Sequence, residues 1–135
     1  MRVGIDLVEL AEFSDVMTRR PAMLERVFTA DELAYCRAKH EPMQHLAARF
    51  AAKEAAFKAI GTGWAGDMTW HDAEVVSMAS GAPSLVAHGE LARRSRMMGS
   101  GFALSLTHSG AYAAAMVVLV HKARGCRAHR VPRVR

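Results

Sequence analysis

Residues 45–60 constrain the fold of this chain more than any other segment, because their alanines and charges separate at helical spacing. One side of the predicted helix carries six alanines: Ala48, Ala51, Ala52, Ala55, Ala56 and Ala59. The other side carries Arg49, Phe50, Lys53, Glu54, Phe57 and Lys58. An all-alanine face lets another backbone approach closely, and two phenylalanines among four charges indicate that the charged side is covered as well. The pattern therefore predicts a central helix with charges inside the structure.

The segments around this helix mix strands and helices without a regular βαβ alternation. Val3, Ile5 and Leu7 alternate with smaller or polar residues, which predicts an opening strand with Asp6 on the face opposite these three. The pattern further predicts helices at residues 10–19, 29–39 and 89–98, strands at 69–77 and 84–87, and a final hairpin with arms 102–108 and 112–120. The second of these helices opens with a capping box, Thr29 to Glu32. We therefore expect an α+β fold.

Composition narrows the class of protein. A chain of 135 residues, 51% hydrophobic and 23% charged, is typical of one globular domain and excludes disorder of its body. No apolar stretch reaches the roughly 20 residues of a membrane span, and no secretory signal is visible. The two cysteines, Cys36 and Cys126, make neither a disulfide framework nor a metal knuckle, so a reducing cytoplasm is expected.

The net charge of +5 comes from residues 122–135. That segment holds six basic residues and no acid, whereas residues 1–121 hold twelve basic and thirteen acidic residues. We therefore divide the chain into a domain, 1–121, and a basic tail, 122–135. A tail of this kind permits an alternative function, a non-catalytic module that binds nucleic acid or an acidic protein. A body with a net charge of −1 speaks against that alternative.

Two familiar motifs are present in letters only. The run from Gly61 to Gly66 spells G-x-G-x-x-G, but it follows a helix instead of leaving a strand, which excludes a dinucleotide fold of the Rossmann type. His40 and His45 are five residues apart with Pro42 between them, so they cannot share one helix face as zinc ligands.

One set of residues suits a phosphate and a divalent ion. Asp6 and Glu54 are carboxylates from two elements, which together with substrate phosphate and water is how Mg²⁺ is usually held. Arg49, Lys53 and Lys58 add cations, and His108 ends a predicted strand. A purely structural role remains an alternative for four of them. Glu54 and Lys58 could form a surface ion pair, Asp6 could be a solubilising charge on an edge strand, and His108 could be a hydrogen-bonded structural histidine.

Three segments together resemble the small holo-[acyl-carrier-protein] synthases, which are 4′-phosphopantetheinyl transferases. They are GIDLVEL at residues 4–10, RFAAKEAAFKAIGTG at 49–63 and SLTHSGAYA at 105–113. The middle motif is long and specific, and order and spacing match along residues 1 to about 120, including the 81–83 turn. The chain is identified on this basis as a member of that family.

The resemblance implies a homotrimer of compact α+β subunits, each with a long helix packed on an antiparallel sheet, and active sites between the subunits. The implied reaction moves 4′-phosphopantetheine from coenzyme A to a serine of an apo acyl carrier protein and releases adenosine 3′,5′-bisphosphate. It implies Asp6 and Glu54 as ligands of Mg²⁺, or of Mn²⁺, and Glu54, Lys58 and His108 as catalytic residues. Glu54, directly or through a water on the metal, would take the serine proton, and Lys58 would neutralise phosphate charge.

The resemblance also implies the residues that bind coenzyme A. Pro83 and His108 would come from the adjoining subunit. The full set is Arg49, Phe50, Lys53, Lys58, Gly61, Thr62, Gly63, Pro83, His108 and Ser109.

The chain departs from the family pattern at two positions. Glu12 stands where relatives often have an arginine that meets the acidic carrier protein, so Arg19, Arg20 and Arg26 are the expected replacements. Ser109 stands where many relatives have an acid after the histidine, so no role for that acid in proton transfer carries over.

Overall fold

The computed structural model describes residues 1–61 and 66–121, which form an α+β fold. The five described strands are β1 (Arg2–Glu9), β2 (Ala73–Ser77), β3 (Pro83–Ala87), β4 (Ser100–Ser109) and β5 (Tyr112–His121). The five described helices are α1 (Leu10–Arg19), α2 (Ala22–Val27), α3 (Ala30–Arg37), α4 (Pro42–Ile60) and α5 (Gly89–Met97). No helix among the described residues has the length and apolar character needed to cross a bilayer.

The strands form two antiparallel sheets. In the larger sheet β5 lies between β1 and β4, and in the smaller one β2 pairs with β3. The register places Gly4 opposite Val117 and Asp6 opposite Ala115, two buried residues of β5. Because side chains alternate along a strand, Asp6 lies on the face opposite Val3, Ile5 and Leu7, as predicted. The covered face of the sheet is the one that carries Asp6, and the three apolar side chains are exposed, which the sequence did not predict.

Helix α4 packs on the covered face of the larger sheet. All six alanines of the predicted alanine face are buried. The closest approach is at Gly4, where a Cβ atom would overlap the carbonyl oxygen of Ala55. Glycine on the strand and alanine on the helix therefore let the two backbones touch, which sets the distance between Asp6 and the charged residues of α4.

Several element boundaries differ from the sequence prediction. Helix α4 begins at Pro42, three residues before the predicted start, because proline at the first helical positions lacks only an N–H that has no partner there. Helix α2 was not predicted at all. The predicted strand at 69–77 begins with a 3₁₀ turn at Trp70–Asp72, and only Ala73–Ser77 is strand. The basic tail, with Cys126, lies outside the described residues.

Candidate functional site

Asp6 of β1 and Glu54 and Lys58 of α4 form an acidic cluster at the contact between strand and helix. Glu54 and Lys58 are one helical turn apart and so point the same way. The Lys58 Nζ donates to Asp6 Oδ1 at 2.9 Å and to the carbonyl oxygen of Ile5 at 3.0 Å. The lysine thereby anchors the helix to the strand and neutralises one of two neighbouring carboxylates.

The pKa of Glu54 is raised, first by burial and then by the negative charge of Asp6, while Lys58 acts in the opposite direction. Two carboxylates that repel one another fit a divalent cation, which would relieve that repulsion. Among the described residues no group of three or more acidic, histidine or cysteine side chains could hold a metal alone. Two carboxylates completed by substrate phosphate and water suit Mg²⁺ better than a dedicated protein cage.

A second group surrounds Arg49, on another side of the same helix. Five residues separate Arg49 from Glu54, which corresponds to about 140° of net rotation about the helix axis. Arg49 is 4% exposed and lines a cavity of about 210 Å³ together with Pro83 and His108. The other lining residues include Tyr35, His45 and Ser77.

The guanidinium of Arg49 is poorly satisfied by the protein. Its Cζ lies 4.2 Å from the centre of the Tyr35 ring, and Nη1 makes one long contact of 3.4 Å with the carbonyl oxygen of His45. Nε has no hydrogen-bond partner among the described residues. A buried cation in this state faces an open cavity, which is an arrangement suited to binding an anion.

The positive charge of Arg49 contributes to lowering the pKa of two other groups around this cavity. The pKa of His45 is lowered, first by burial and then by the charge of Arg49. The pKa of Tyr35 is lowered, chiefly by a hydrogen bond with Ser77. Neither Tyr35 nor His45 was singled out as a site residue from the sequence. The one sequence feature that could have pointed to Tyr35 is its position three residues after Glu32, which places both side chains on one face of α3.

The predicted site residues thus fall into two groups on one subunit. Asp6, Glu54 and Lys58 are together, and Arg49 is with Pro83 and His108 of its own chain. Within one chain, Arg49 therefore shares a cavity with Pro83 and His108 and lies on another side of α4 from the acidic cluster. The predicted contribution of Pro83 and His108 to a neighbouring subunit's site stays a prediction.

The structure gives Lys53 a different place from the predicted one. Its Nζ is completely buried and donates to Glu32 Oε1 at 2.7 Å, to the Ala73 carbonyl oxygen at 2.6 Å and to the Trp70 carbonyl oxygen at 3.1 Å. Burial lowers the pKa of Lys53, and the carboxylate of Glu32 partly offsets this effect. A buried lysine with three internal acceptors is not available to line a cleft, so Lys53 is not a contact of coenzyme A in this fold.

The remaining predicted residues have simpler surroundings. Phe50 packs between Phe13 and Trp70, at ring-centroid distances of 5.6 and 5.2 Å. Gly61 ends α4 with a φ of 82°, a left-handed conformation that glycine adopts readily at the end of a helix. Ser109 ends β4 and is exposed. Thr62 and Gly63 lie outside the described residues.

Comparisons with known proteins all match one family of enzymes. A sequence model described as the 4′-phosphopantetheinyl transferase superfamily matches residues 2–117. A protein of Moorella thermoacetica named holo-[acyl-carrier-protein] synthase is 42% identical over 120 residues, which are 88% of this chain and 93% of that protein. One of the same name from Geobacter sulfurreducens is 45% identical over 118 residues, covering 86% and 94%.

A solved structure shows the same architecture. The crystal structure of a holo-(acyl-carrier-protein) synthase from Bacillus anthracis, described as a complex with CoA (3′,5′-ADP), matches with a TM-score of 0.74 at 30% identity. The match covers 90% of this chain and 96% of that one.

Proposed function

The chain belongs to the 4′-phosphopantetheinyl transferase superfamily and is an enzyme of its holo-[acyl-carrier-protein] synthase type, and from this premise we propose its reaction. It transfers 4′-phosphopantetheine from coenzyme A to a serine of an apo acyl carrier protein in the cytoplasm. The serine oxygen bonds to the phosphorus that carries the pantetheine arm, and the bond from that phosphorus to the bridging oxygen breaks. Adenosine 3′,5′-bisphosphate leaves.

The acidic cluster is the observation that carries this proposal. Asp6 and Glu54 would hold Mg²⁺, which supplies charge neutralisation to the pyrophosphate of coenzyme A. Glu54 would also accept the serine proton, since its carboxylate lies in the cluster where the phosphates of coenzyme A would bind. Lys58 lies beside Asp6, where its amine neutralises charge that grows on the phosphates.

The cavity of Arg49 supports the coenzyme A half of the proposal. Its guanidinium binds a phosphate of the nucleotide, and His108 and Pro83 line the same space. A phosphate in this cavity places a negative charge beside a buried cation that the protein leaves incompletely hydrogen-bonded, which favours binding.

Self-association of the subunit would bring the two groups together. The outer face of the larger sheet exposes Val3, Ile5, Leu7, Met116 and Val120, and Ile5 is 65% exposed. Ile5 and Met116 are direct partners across β1 and β5, so the apolar side chains form one surface. A surface of this kind on an isolated subunit favours contact with further copies. We propose a homotrimer in which the acidic cluster of one subunit meets the Arg49 cavity of the next.

Carrier docking is proposed on α1 and the segment after it. Arg20 and Arg26 are exposed, whereas Arg19 is in an ion pair with Asp15 one turn earlier. Glu12 is exposed in the first turn of α1 and opposes an acidic partner. Arg20 and Arg26 therefore carry the attraction, with Arg19 available after Asp15 is displaced.

The test is incubation with coenzyme A, Mg²⁺ and an apo carrier protein, followed by intact mass of the carrier. We expect a mass gain equal to one 4′-phosphopantetheine group, lost in Glu54→Ala and Asp6→Ala and without added metal. Met97→Ala, an exposed position on α5, is the matched control and retains activity. An unchanged carrier mass with the parent enzyme contradicts the proposal, and full activity in both carboxylate variants contradicts the metal assignment.

A further inference from the structure

A buried polar network joins three elements beneath the Arg49 cavity. Glu32 of α3 lies at its centre, fully buried, with Oε1 accepting from Lys53 Nζ and, at 2.9 Å, from the backbone N–H of Thr29. Its Oε2 accepts from the N–H of Val75 in β2 at 3.0 Å. Lys53 of α4 adds the carbonyl oxygens of Trp70 and Ala73. Two side chains thus fix α3, α4 and the start of β2 to one another.

Each element of the network also carries a residue that lines the cavity. Tyr35 lies three residues after Glu32, about one turn along α3, and Arg49 lies one turn before Lys53 on α4. Ser77 lies two residues after Val75, on the same face of β2. Tyr35, Arg49 and Ser77 all line the cavity. Each element that the network fixes therefore contributes a wall residue at its next equivalent position.

Stability alone does not explain a network of this kind. A buried ion pair loses the hydration of both charges, and well-packed apolar residues of similar volume are often as stabilising or more so. Apolar contacts do not depend on angle, whereas hydrogen bonds do. Lys53 and Glu32 each hydrogen-bond to backbone groups of other elements and so restrict how those elements are oriented. The network ties α4 to α3 and β2 one turn away from Arg49, whose guanidinium lies over the Tyr35 ring.

We propose that Lys53 and Glu32 are positioning residues for the coenzyme A site, acting through Arg49 and Tyr35 without touching substrate. This inference rests on the proposed function, in which the Arg49 cavity binds a phosphate of coenzyme A. Removing the charges of Lys53 and Glu32 should therefore weaken the binding of coenzyme A more than it slows the transfer reaction.

The decisive variant is the double substitution Lys53→Met with Glu32→Gln, which removes both charges and leaves neither one buried alone. We expect a folded protein whose Kd for coenzyme A, measured by calorimetry, rises about tenfold, since small misplacements of a binding group weaken its contacts strongly. The KM for coenzyme A should rise in parallel, while kcat stays within about threefold of the parent enzyme. Glu32→Gln alone keeps the amine of Lys53 and its two carbonyl acceptors but leaves its charge without a carboxylate. It should therefore be less stable than the double variant and also raise the Kd for coenzyme A.

The matched control is Val27→Ala, a buried position in α2, which contributes no residue to the cavity lining. It should lower the unfolding temperature and leave the Kd for coenzyme A unchanged. A double variant that binds coenzyme A as the parent does overturns the inference. If the double variant does not fold, an unchanged Kd in Glu32→Gln overturns it. Failure of the parent to bind coenzyme A would instead overturn the proposed function.

Discussion

Arg49 and Lys53 are both buried cations one turn apart on α4, but they differ in what surrounds them. Lys53 has a carboxylate and two carbonyl oxygens within hydrogen-bond distance, so the cost of removing its charge from water is largely offset. Arg49 has an aromatic ring, one long contact and an unpartnered Nε. The free energy missing at Arg49 is available for binding an anion, as is typical of functional sites.

Replacement of Arg49 by Met should therefore stabilise the free protein and abolish its binding of coenzyme A. Removing a buried, incompletely bonded charge should raise the free energy of unfolding by about 1 kcal/mol. Urea unfolding without ligand measures the first effect and calorimetry with coenzyme A the second. Arg37→Met, at an exposed position in α3, is the control. A destabilised Arg49→Met protein would show that the guanidinium is structural.

His45 gives the protein a predictable response to acid. Its pKa in the folded state is lowered from 6.5 by burial and by Arg49, so the fold favours the neutral ring. The stability that this contributes is fully present above pH 6.5 and is lost as the pH falls through the lower folded-state pKa. His45→Gln should therefore lose less unfolding free energy than the parent between pH 7 and pH 5 in urea titrations.

His40→Gln is the control for that titration, because the His40 side chain is 97% exposed. It should follow the parent across the same pH range. Identical pH dependence in His45→Gln and the parent would show that the ring of His45 is hydrated in solution.

At the scale of elements, the sequence predicted the features that follow from the spacing of residues along one helix or strand. The alanine face of α4, the side of β1 that carries Asp6 and the capping box at Thr29 and Glu32 were all confirmed. It did not predict α2, which has only six residues and little room for a periodic pattern. Nor did it predict that Lys53 is structural, because that depends on Glu32, 21 residues away, and on two carbonyl groups whose positions only the fold determines.

The contact between β1 and α4 yields an element-scale prediction. Gly4→Ala should lower the free energy of unfolding by about 3 kcal/mol, since the added Cβ would overlap the backbone of Ala55 and separate the helix from the strand. Gly110→Ala is the control, because Gly110 has a φ of 57° but open space around it and should cost only about 1 kcal/mol. Urea unfolding of both variants measures the difference. Equal losses would mean that β1 can shift without strain.

At the scale of the whole molecule, we propose that the exposed apolar face of the larger sheet forms the contact between subunits. Ile5→Asp places a charge in the middle of the exposed apolar surface, and it should reduce the mass seen by light scattering from three subunits to one. Met97→Asp is matched in chemistry, because Met97 is 74% exposed but lies on α5. It should leave the mass unchanged. A parent protein that is already a monomer at working concentration would contradict the proposed surface.

Two inactive variants should restore activity to one another if sites form between subunits. Glu54→Ala damages the acidic cluster and His108→Ala damages the wall of the Arg49 cavity. In the proposed homotrimer, each variant alone would therefore have three defective sites. In a mixed trimer, a subunit with intact Glu54 can face a neighbour with intact His108, and random mixing makes about a quarter of the sites complete.

We therefore expect a mixture of the two variants, refolded or exchanged together, to approach about a quarter of parent activity in the intact-mass assay, whereas each variant alone stays near background. The pair Glu54→Ala with Asp6→Ala is the control, because both lesions lie in one cluster and no mixture can repair it. If Glu54→Ala with His108→Ala also stays at background while native mass spectrometry shows mixed trimers, then one subunit supplies both groups of residues. The acidic cluster and the Arg49 cavity would then have to be bridged along α4 within a single chain.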